Sequence, residues 1–195
     1  MTQCNLKLIV GLGNPDNHLL NTRHNVGFWF ADQLSSSFDK DFIFTKKFDS
    51  EISEIDTNTS KIFIMKPLTY INDSGNPLQK YIKNKNIGPD NILIAYDDLD
   101  LQIGQVRIKF SGGSGGHNGL NSIIEKIGSR DFWRLRVGIG KPEDREQTVN
   151  YVLGKPPQEE KNKIHTSLAR IISEKKDLLS GNFSKLMNHN NGSKS

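Results

Sequence analysis

The stretch Ser111-Gly112-Gly113-Ser114-Gly115-Gly116-His117-Asn118-Gly119-Leu120-Asn121-Ser122-Ile123-Ile124-Glu125-Lys126-Ile127-Gly128 begins as a loop and ends as a helix. Its clustered glycines let the backbone enter left-handed conformations and approach a ligand closely. Leu120, Ile123, Ile124 and Ile127 then recur three and four apart, the apolar stripe of a core-facing helix. Gly128 is placed to stop that helix. Upstream, Gln105 to Phe110 alternates Val106, Ile108 and Phe110 with Arg107 and Lys109. Downstream, Leu135, Val137 and Ile139 alternate with Arg134 and Arg136. The local order is therefore strand, glycine loop, helix, strand.

The same alternation extends outward. Lys7 to Leu12 is a buried first strand that ends in the turn formers Gly13, Asn14 and Pro15. Thr22 to Phe38 carries Val26, Phe30 and Leu34 at helical spacing, with Thr22 as its candidate N-cap. Asp41 to Lys66 holds two or three strands, with a turn over 57–60. Asp73 or Ser74 can cap a helix that carries Leu78, Tyr81 and Ile82. Asn91 to Tyr96 is a further apolar strand, closed by Asp97, Asp98 and Asp100. Lys141 to Pro157 is a long proline-bounded loop whose one apolar piece is 149–153. Gln158 to Ser180 is a helix, and 182–195 is a polar tail expected to fray. Interleaved strands and helices predict a single-domain α/β three-layer sandwich, 1–181, with helices on both faces of a twisted mixed sheet. The segment from Asp100 to Phe110 suggests an antiparallel part of that sheet.

The 195 residues are 34% hydrophobic and 25% charged, as in a soluble globular domain. No apolar run approaches the ~20 residues of a membrane span, and the N-terminus lacks a signal-peptide shape. The single Cys4 excludes an internal disulfide. A cytoplasmic protein is expected. Net charge is +4, which permits a polyanionic partner without requiring one. Arg107, Lys109, Arg130, Arg134 and Arg136 are either solvated strand charges or a phosphate-binding track, with nothing in the sequence to separate the two.

Polar residues gather at strand ends, where ligands of α/β sheets usually bind. Asn14, Asn72, Asp97, His117 and Asn118 follow four strands, and His24 opens a helix. His24 is the candidate general base, since a neutral imidazole accepts a proton near neutral pH. Asp97 is the candidate carboxylate to orient it. The nucleophile is then water, because no serine stands in a nucleophile elbow. Singly, each of these residues is more often a turn or cap residue; their number at successive strand ends favours a site. A divalent cation on Asp97, Asp98, Asp100, His24 and His117 is the rival chemistry, without a ligand spacing to support it. A Walker-type phosphate loop is disfavoured, because no Lys-Ser or Lys-Thr closes the glycine run.

Six motifs together resemble bacterial peptidyl-tRNA hydrolase: Val10 to Pro15, Thr22 to Gly27, Lys66 to Gly75, Asp97 to Leu101, Gly115 to Leu120, and Arg134 to Gly140. The resemblance spans nearly the whole chain. It implies metal- and cofactor-independent hydrolysis of the ester between a peptide and the terminal ribose of tRNA, which recycles the tRNA. By that likeness His24 takes a proton from water, Asp97 orients His24, and Asn14 distinguishes N-blocked from free aminoacyl groups. Asn72, Asn118, His117, Tyr70 and position 19 belong with substrate, and Arg107, Lys109 and Arg136 with tRNA phosphates. The likeness also implies that 141–157 is a mobile lid, that the partner is the acceptor arm with its CCA end, and that the chain is a monomer. The chain departs from the family pattern at Asp16, usually Gly, and at Leu19, usually Tyr, with His18 beside it. Ile71 and Asp73 depart as well. A non-catalytic RNA binder on the same scaffold would need the cations but not the His24–Asp97 pair. A metal-dependent phosphoesterase would be sensitive to chelator.

Overall fold

Strand β1 (Leu8–Gly11) is buried along its whole length, as its continuous apolar run predicts. In the computed structural model, which describes residues 4–57 and 60–191, it lies at the centre of a seven-stranded sheet. β1 pairs in parallel with β4 (Lys61–Pro67) on one side and β5 (Ile92–Asp98) on the other. Outside β4 lie β3 (Ser50–Asp56) and then the edge strand β2 (Ile43–Thr45), both antiparallel to their neighbours. Outside β5 lies parallel β7 (Trp133–Gly138), and β6 (Val106–Phe110) closes that side antiparallel to β7. The antiparallel element is thus present, but β7 stands between β5 and β6.

The sheet separates two apolar layers. Ile9, Leu93 and Leu135 face a layer with α1 (Val26–Ser36), α5 (Gln158–Ser173) and α7 (Phe183–Asn191). Leu8, Val10, Ile92 and Ile94 face the other, with α2 (Gly75–Lys85) and α3 (Asn118–Ile127). The period-two alternation of strand side chains puts neighbouring residues of one strand into different layers.

Local departures from expectation have physical causes. Thr22 does not cap α1; its hydroxyl donates back to the Leu19 carbonyl at 2.7 Å. A 3₁₀ turn, Arg23–Asn25, intervenes and α1 starts at Val26. The 149–153 piece forms a short helix, α4 (Thr148–Val152), within 141–157. The 158–180 helix divides at Glu174 into α5 and α6 (Lys175–Leu179). The tail expected to fray from 182 begins instead with α7, because Phe183 and Leu186 are buried and the Phe183 ring packs 4.4 Å from that of Trp133. The turn expected over 57–60 is closed by Thr57 N–H on the Ser60 carbonyl at 2.8 Å; residues 58 and 59 lie outside the described residues, as do 192–195 of the tail. No helix among the described residues is long and apolar enough to cross a membrane.

Glycines at two positions let α1 approach the sheet closely. A Cβ on Gly11 would fall 2.3 Å from the Gly27 carbonyl oxygen, and one on Gly27 would fall 2.4 Å from the backbone of Leu12 and Ala95. The start of α1 therefore sits directly on the carboxyl ends of β1 and β5. The Arg23–Asn25 turn that precedes it is pressed against those strand ends.

Candidate active site

Each residue of the Arg23–Asn25 turn is buried. His24 Nδ1 lies 2.7 Å from Asp97 Oδ1, at the end of β5. Asn25 braces the loop after β1 on both sides, accepting from Asn14 N–H and donating to the Asn14 carbonyl, each at 2.9 Å. Asn14 Oδ1 in turn accepts from Ile71 N–H at 2.9 Å. That bond fixes which end of the Asn14 amide is oxygen. Its Nδ2 donor has no hydrogen-bond partner among the described residues.

His117 is the N-cap of α3, and its Nδ1 accepts from Leu120 N–H at 3.2 Å. An accepting Nδ1 carries no proton, so Nε2–H is the donor in the 3.0 Å contact with Asp97 Oδ1. Both imidazoles thus meet one carboxylate oxygen. Asp97 is 3% exposed. Burial disfavours its charge, but the charges and N–H groups of His24 and His117 outweigh that and hold its carboxyl well below the usual range. An ionised carboxylate only accepts, so His24 Nδ1 must carry the proton and Nε2 keeps its lone pair. Burial also opposes the imidazolium of His24, yet the charge and hydrogen bond of Asp97 leave its pKa raised above the ordinary 6.5.

His24, Asp97 and His117 are also the described group whose ligand atoms lie close enough for a metal, within 4.8 Å. In this arrangement three of their four ring nitrogens are committed to hydrogen bonds. Cys4 lies at the opposite end of β1, with its thiol pushed up to about 11, chiefly by burial. It has the character of a structural thiol rather than a nucleophile.

A cleft of about 580 Å³ opens over this centre. Of the residues expected at the site, His24, Asp97, His117, Asn118, Lys109 and Arg136 line it. Thr148, Val149 and Val152 of α4 line it too. Asn14, Leu19, Tyr70 and Asn72 are outside this cavity, on the loops after β1 and β4, and so is Arg107 on β6. Asn72 is exposed in a 3₁₀ turn. Leu19 is half-buried. Tyr70 is 59% exposed, and its hydroxyl donates to Asp16 Oδ2 at 2.9 Å. Asp16, a departure from the family pattern, thus holds an exposed residue expected at the site.

The cations divide into two kinds. Arg107 faces Arg136, and Lys109 faces Arg134, across the β6–β7 pair. Like charges directly opposed on one sheet face are destabilising. One of the four is paired with a carboxylate and another is buried against uncharged carbonyls. Arg136 Nε donates to Asp98 Oδ2 at 2.6 Å. Arg134 is 2% exposed, donates to the carbonyls of Gly112 and Gly113, and lies 4.6 Å over the Phe132 ring. It is a pin for the glycine loop, not a solvated charge, and that loop bends through left-handed Gly115 (φ 61°) and Gly116 (φ 84°). Arg107 and Lys109 are exposed and have no ion-pair partner among the described residues.

The family model for peptidyl-tRNA hydrolase matches residues 8–195. The chain belongs to the peptidyl-tRNA hydrolase family. A relative from Dichelobacter nodosus is 46% identical over 164 residues, 84% of this chain and 87% of that one. One from Neisseria gonorrhoeae is 40% identical over 176 residues, 90% of this chain and 92% of that one. Both carry the name peptidyl-tRNA hydrolase. The crystal structure of peptidyl-tRNA hydrolase from Acinetobacter baumannii superposes with a TM-score of 0.91 at 38% identity, covering 96% of this chain and 95% of that one.

Two contributors to this candidate site, Arg23 and Asn25, escape a residue-by-residue search of the sequence, and two more, Asp98 and Arg134, are singled out there for other roles. Asn25 and Arg23 flank His24 in the same motif, so adjacency alone could have flagged them. Asp98 follows Asp97 and neutralises Arg136. The alternation that exposed Arg134 as a polar-face residue gave no sign that glycine carbonyls would cover it.

Proposed function

We propose that this chain hydrolyses the ester between a peptide and the 3′-terminal ribose of tRNA, releasing both and recycling the tRNA. The observation that carries the mechanism is the 2.7 Å His24–Asp97 contact with its deduced tautomer. Nε2 of His24 takes a proton from water as the water attacks the ester carbonyl. Asp97 holds the ring and stabilises the imidazolium that forms. His117 holds Asp97 from the other side. General-base assistance of this kind is worth ~10²–10⁴ in rate.

Asn14 offers its unpaired Nδ2 to the substrate and reads the blocked amino group. Asn72, Asn118, Tyr70 and Leu19 border the peptide and the CCA end. Arg107 and Lys109 contact acceptor-arm phosphates, which resolves the opposed cations on that sheet face. Arg136 joins them through the guanidinium nitrogens that Asp98 leaves over. Segment 141–157 is the lid, and the chain acts as a monomer without metal or cofactor.

The test is release of N-acetylated amino acid from tRNA, with and without chelator, by wild type and His24→Ala. Unblocked aminoacyl-tRNA is the control. Chelator-resistant cleavage of the blocked substrate alone, lost in the variant, supports the proposal. Salt-sensitive tRNA binding without cleavage would make the chain a binder, and chelator-sensitive cleavage would make it a metalloenzyme.

A further inference from the structure

Arg23 stands directly before His24, yet its side chain runs away from the cleft. It is 7% exposed. Nη1 donates to the carbonyls of Tyr151 at 3.3 Å and Gly154 at 3.5 Å. Nη2 donates to Glu160 Oε2, at the start of α5, at 2.9 Å. The guanidinium lies 4.1 Å over the Tyr151 ring, and Arg23 backbone N–H donates to the Gly154 carbonyl at 3.1 Å. The Tyr151 hydroxyl is itself tied to the Ile139 carbonyl at 2.7 Å. One side chain therefore holds the exit of α4, whose Thr148, Val149 and Val152 line the cleft. The same residue is a third of the turn that presents His24 to Asp97.

Buried planar guanidinium groups with a carboxylate, carbonyls and an aromatic face are rigid fasteners, because their fork geometry admits few alternatives. Fastening to a three-residue turn is not neutral. A displaced Arg23 displaces the backbone that sets the His24 ring, and misplacement by ~1 Å from a remote change can cost 10² in rate.

We infer that Arg23 is a positioning residue that locks the α4 segment onto the His24 turn, so that seating of that segment and aim of the base are set together. This rests on the proposed roles of His24 as base and of 141–157 as a lid. It goes beyond them in making the two interdependent.

The variants are Arg23→Lys, which keeps the charge and loses the fork, and Tyr151→Leu, which is uncharged and touches neither His24 nor Asp97. Tyr151 is half-buried, so its variant serves if Arg23→Lys does not fold. The charged and titratable groups that line the cleft with His24, namely Tyr96, Asp97, Asp98, Asp100, Lys109, His117, Arg134 and Arg136, are unaltered in both, and Arg23→Lys keeps its charge, so a shifted pH limb reports geometry. With N-acetylated aminoacyl-tRNA, both variants are expected to lose about tenfold in kcat. Both are also expected to move the ascending limb of kcat/KM to lower pH, because loosening Asp97 leaves burial to dominate at His24. Unchanged kcat and limb with only a lower Tm would overturn the inference. So would a raised KM with the limb unmoved, which would make α4 a cover independent of the base. A wild type with no such limb, or an active His24→Ala, would instead overturn the general-base proposal itself.

Discussion

The two walls of the cleft are built on opposite plans. On the Asp97 wall the polar groups are buried and mostly matched: two imidazoles share one carboxylate oxygen, a backbone N–H fixes one tautomer, and Asn25 fixes the loop that carries Asn14. On the β6–β7 wall Arg136 pairs with Asp98 and Arg134 is covered by glycine carbonyls, while Lys109 at the cleft and Arg107 beyond it on the same sheet face stand exposed without ion-pair partners among the described residues. The difference teaches how each wall contributes. A prearranged network lowers a barrier without reorganising, whereas a row of unmatched cations becomes complete only with an anion, and its strength depends on salt.

The largest effect belongs to the prearranged wall. His24→Ala is expected to lower hydrolysis by ~10²–10⁴, measured at saturating substrate so that binding does not mask it. Folding and tRNA affinity should survive, which retained Tm and filter binding would check. Next come the unmatched cations. Arg107→Ala and Lys109→Ala should each weaken tRNA binding and reduce the slope of log affinity against log salt by about one. Hydrolysis of a short N-blocked aminoacyl adenosine should stay unchanged. Loss on both substrates would place those residues with the chemistry and blur the contrast. Arg136→Ala is a poorer probe, because it also leaves the half-buried Asp98 carboxylate with only the Asp100 N–H and no ion-pair partner. Smallest of all, Asp16→Ala frees the Tyr70 hydroxyl. Loss of one exposed hydrogen bond should raise KM roughly two- to fivefold with kcat unchanged. A fall in kcat would make Asp16 part of the rigid wall.

Much of this contrast was legible from sequence. The β1 run, the alternation in β6 and β7, and the α3 stripe announce their own periods, so the elements, their order along the chain and the layers follow from them. Asp97 and Asn14 stand out as polar residues at strand ends, and His24 as an imidazole at a helix start. What periodicity does not carry is partnership across long chain separations. Arg134 and Arg136 look alike in the alternation, yet one is covered by glycine carbonyls and the other pairs with Asp98. His117 reads as a loop histidine beside a helix until the sheet brings β5 against it. Position 183 opened a polar segment, and only the Trp133 surface offered by β7 makes a helix there worth forming. The place of β7 between β5 and β6 likewise depends on which strand completes a buried face, a property of the whole sheet.

The most direct test is the pH dependence of kcat/KM on N-acetylated aminoacyl-tRNA for wild type and Asp97→Asn. His24 must be neutral to accept the proton, so activity rises as pH passes its pKa. In the wild type that limb should lie above 6.5, because Asp97 raises His24 against burial. Asp97 stays ionised well below that range, so the acid loss reports the imidazole and not the carboxylate. In Asp97→Asn only burial remains, and the limb should fall below 6.5 with a rate loss within ~10²–10⁴. The same limb in both proteins, or equal rates on its plateau, would contradict a base raised and aimed by Asp97.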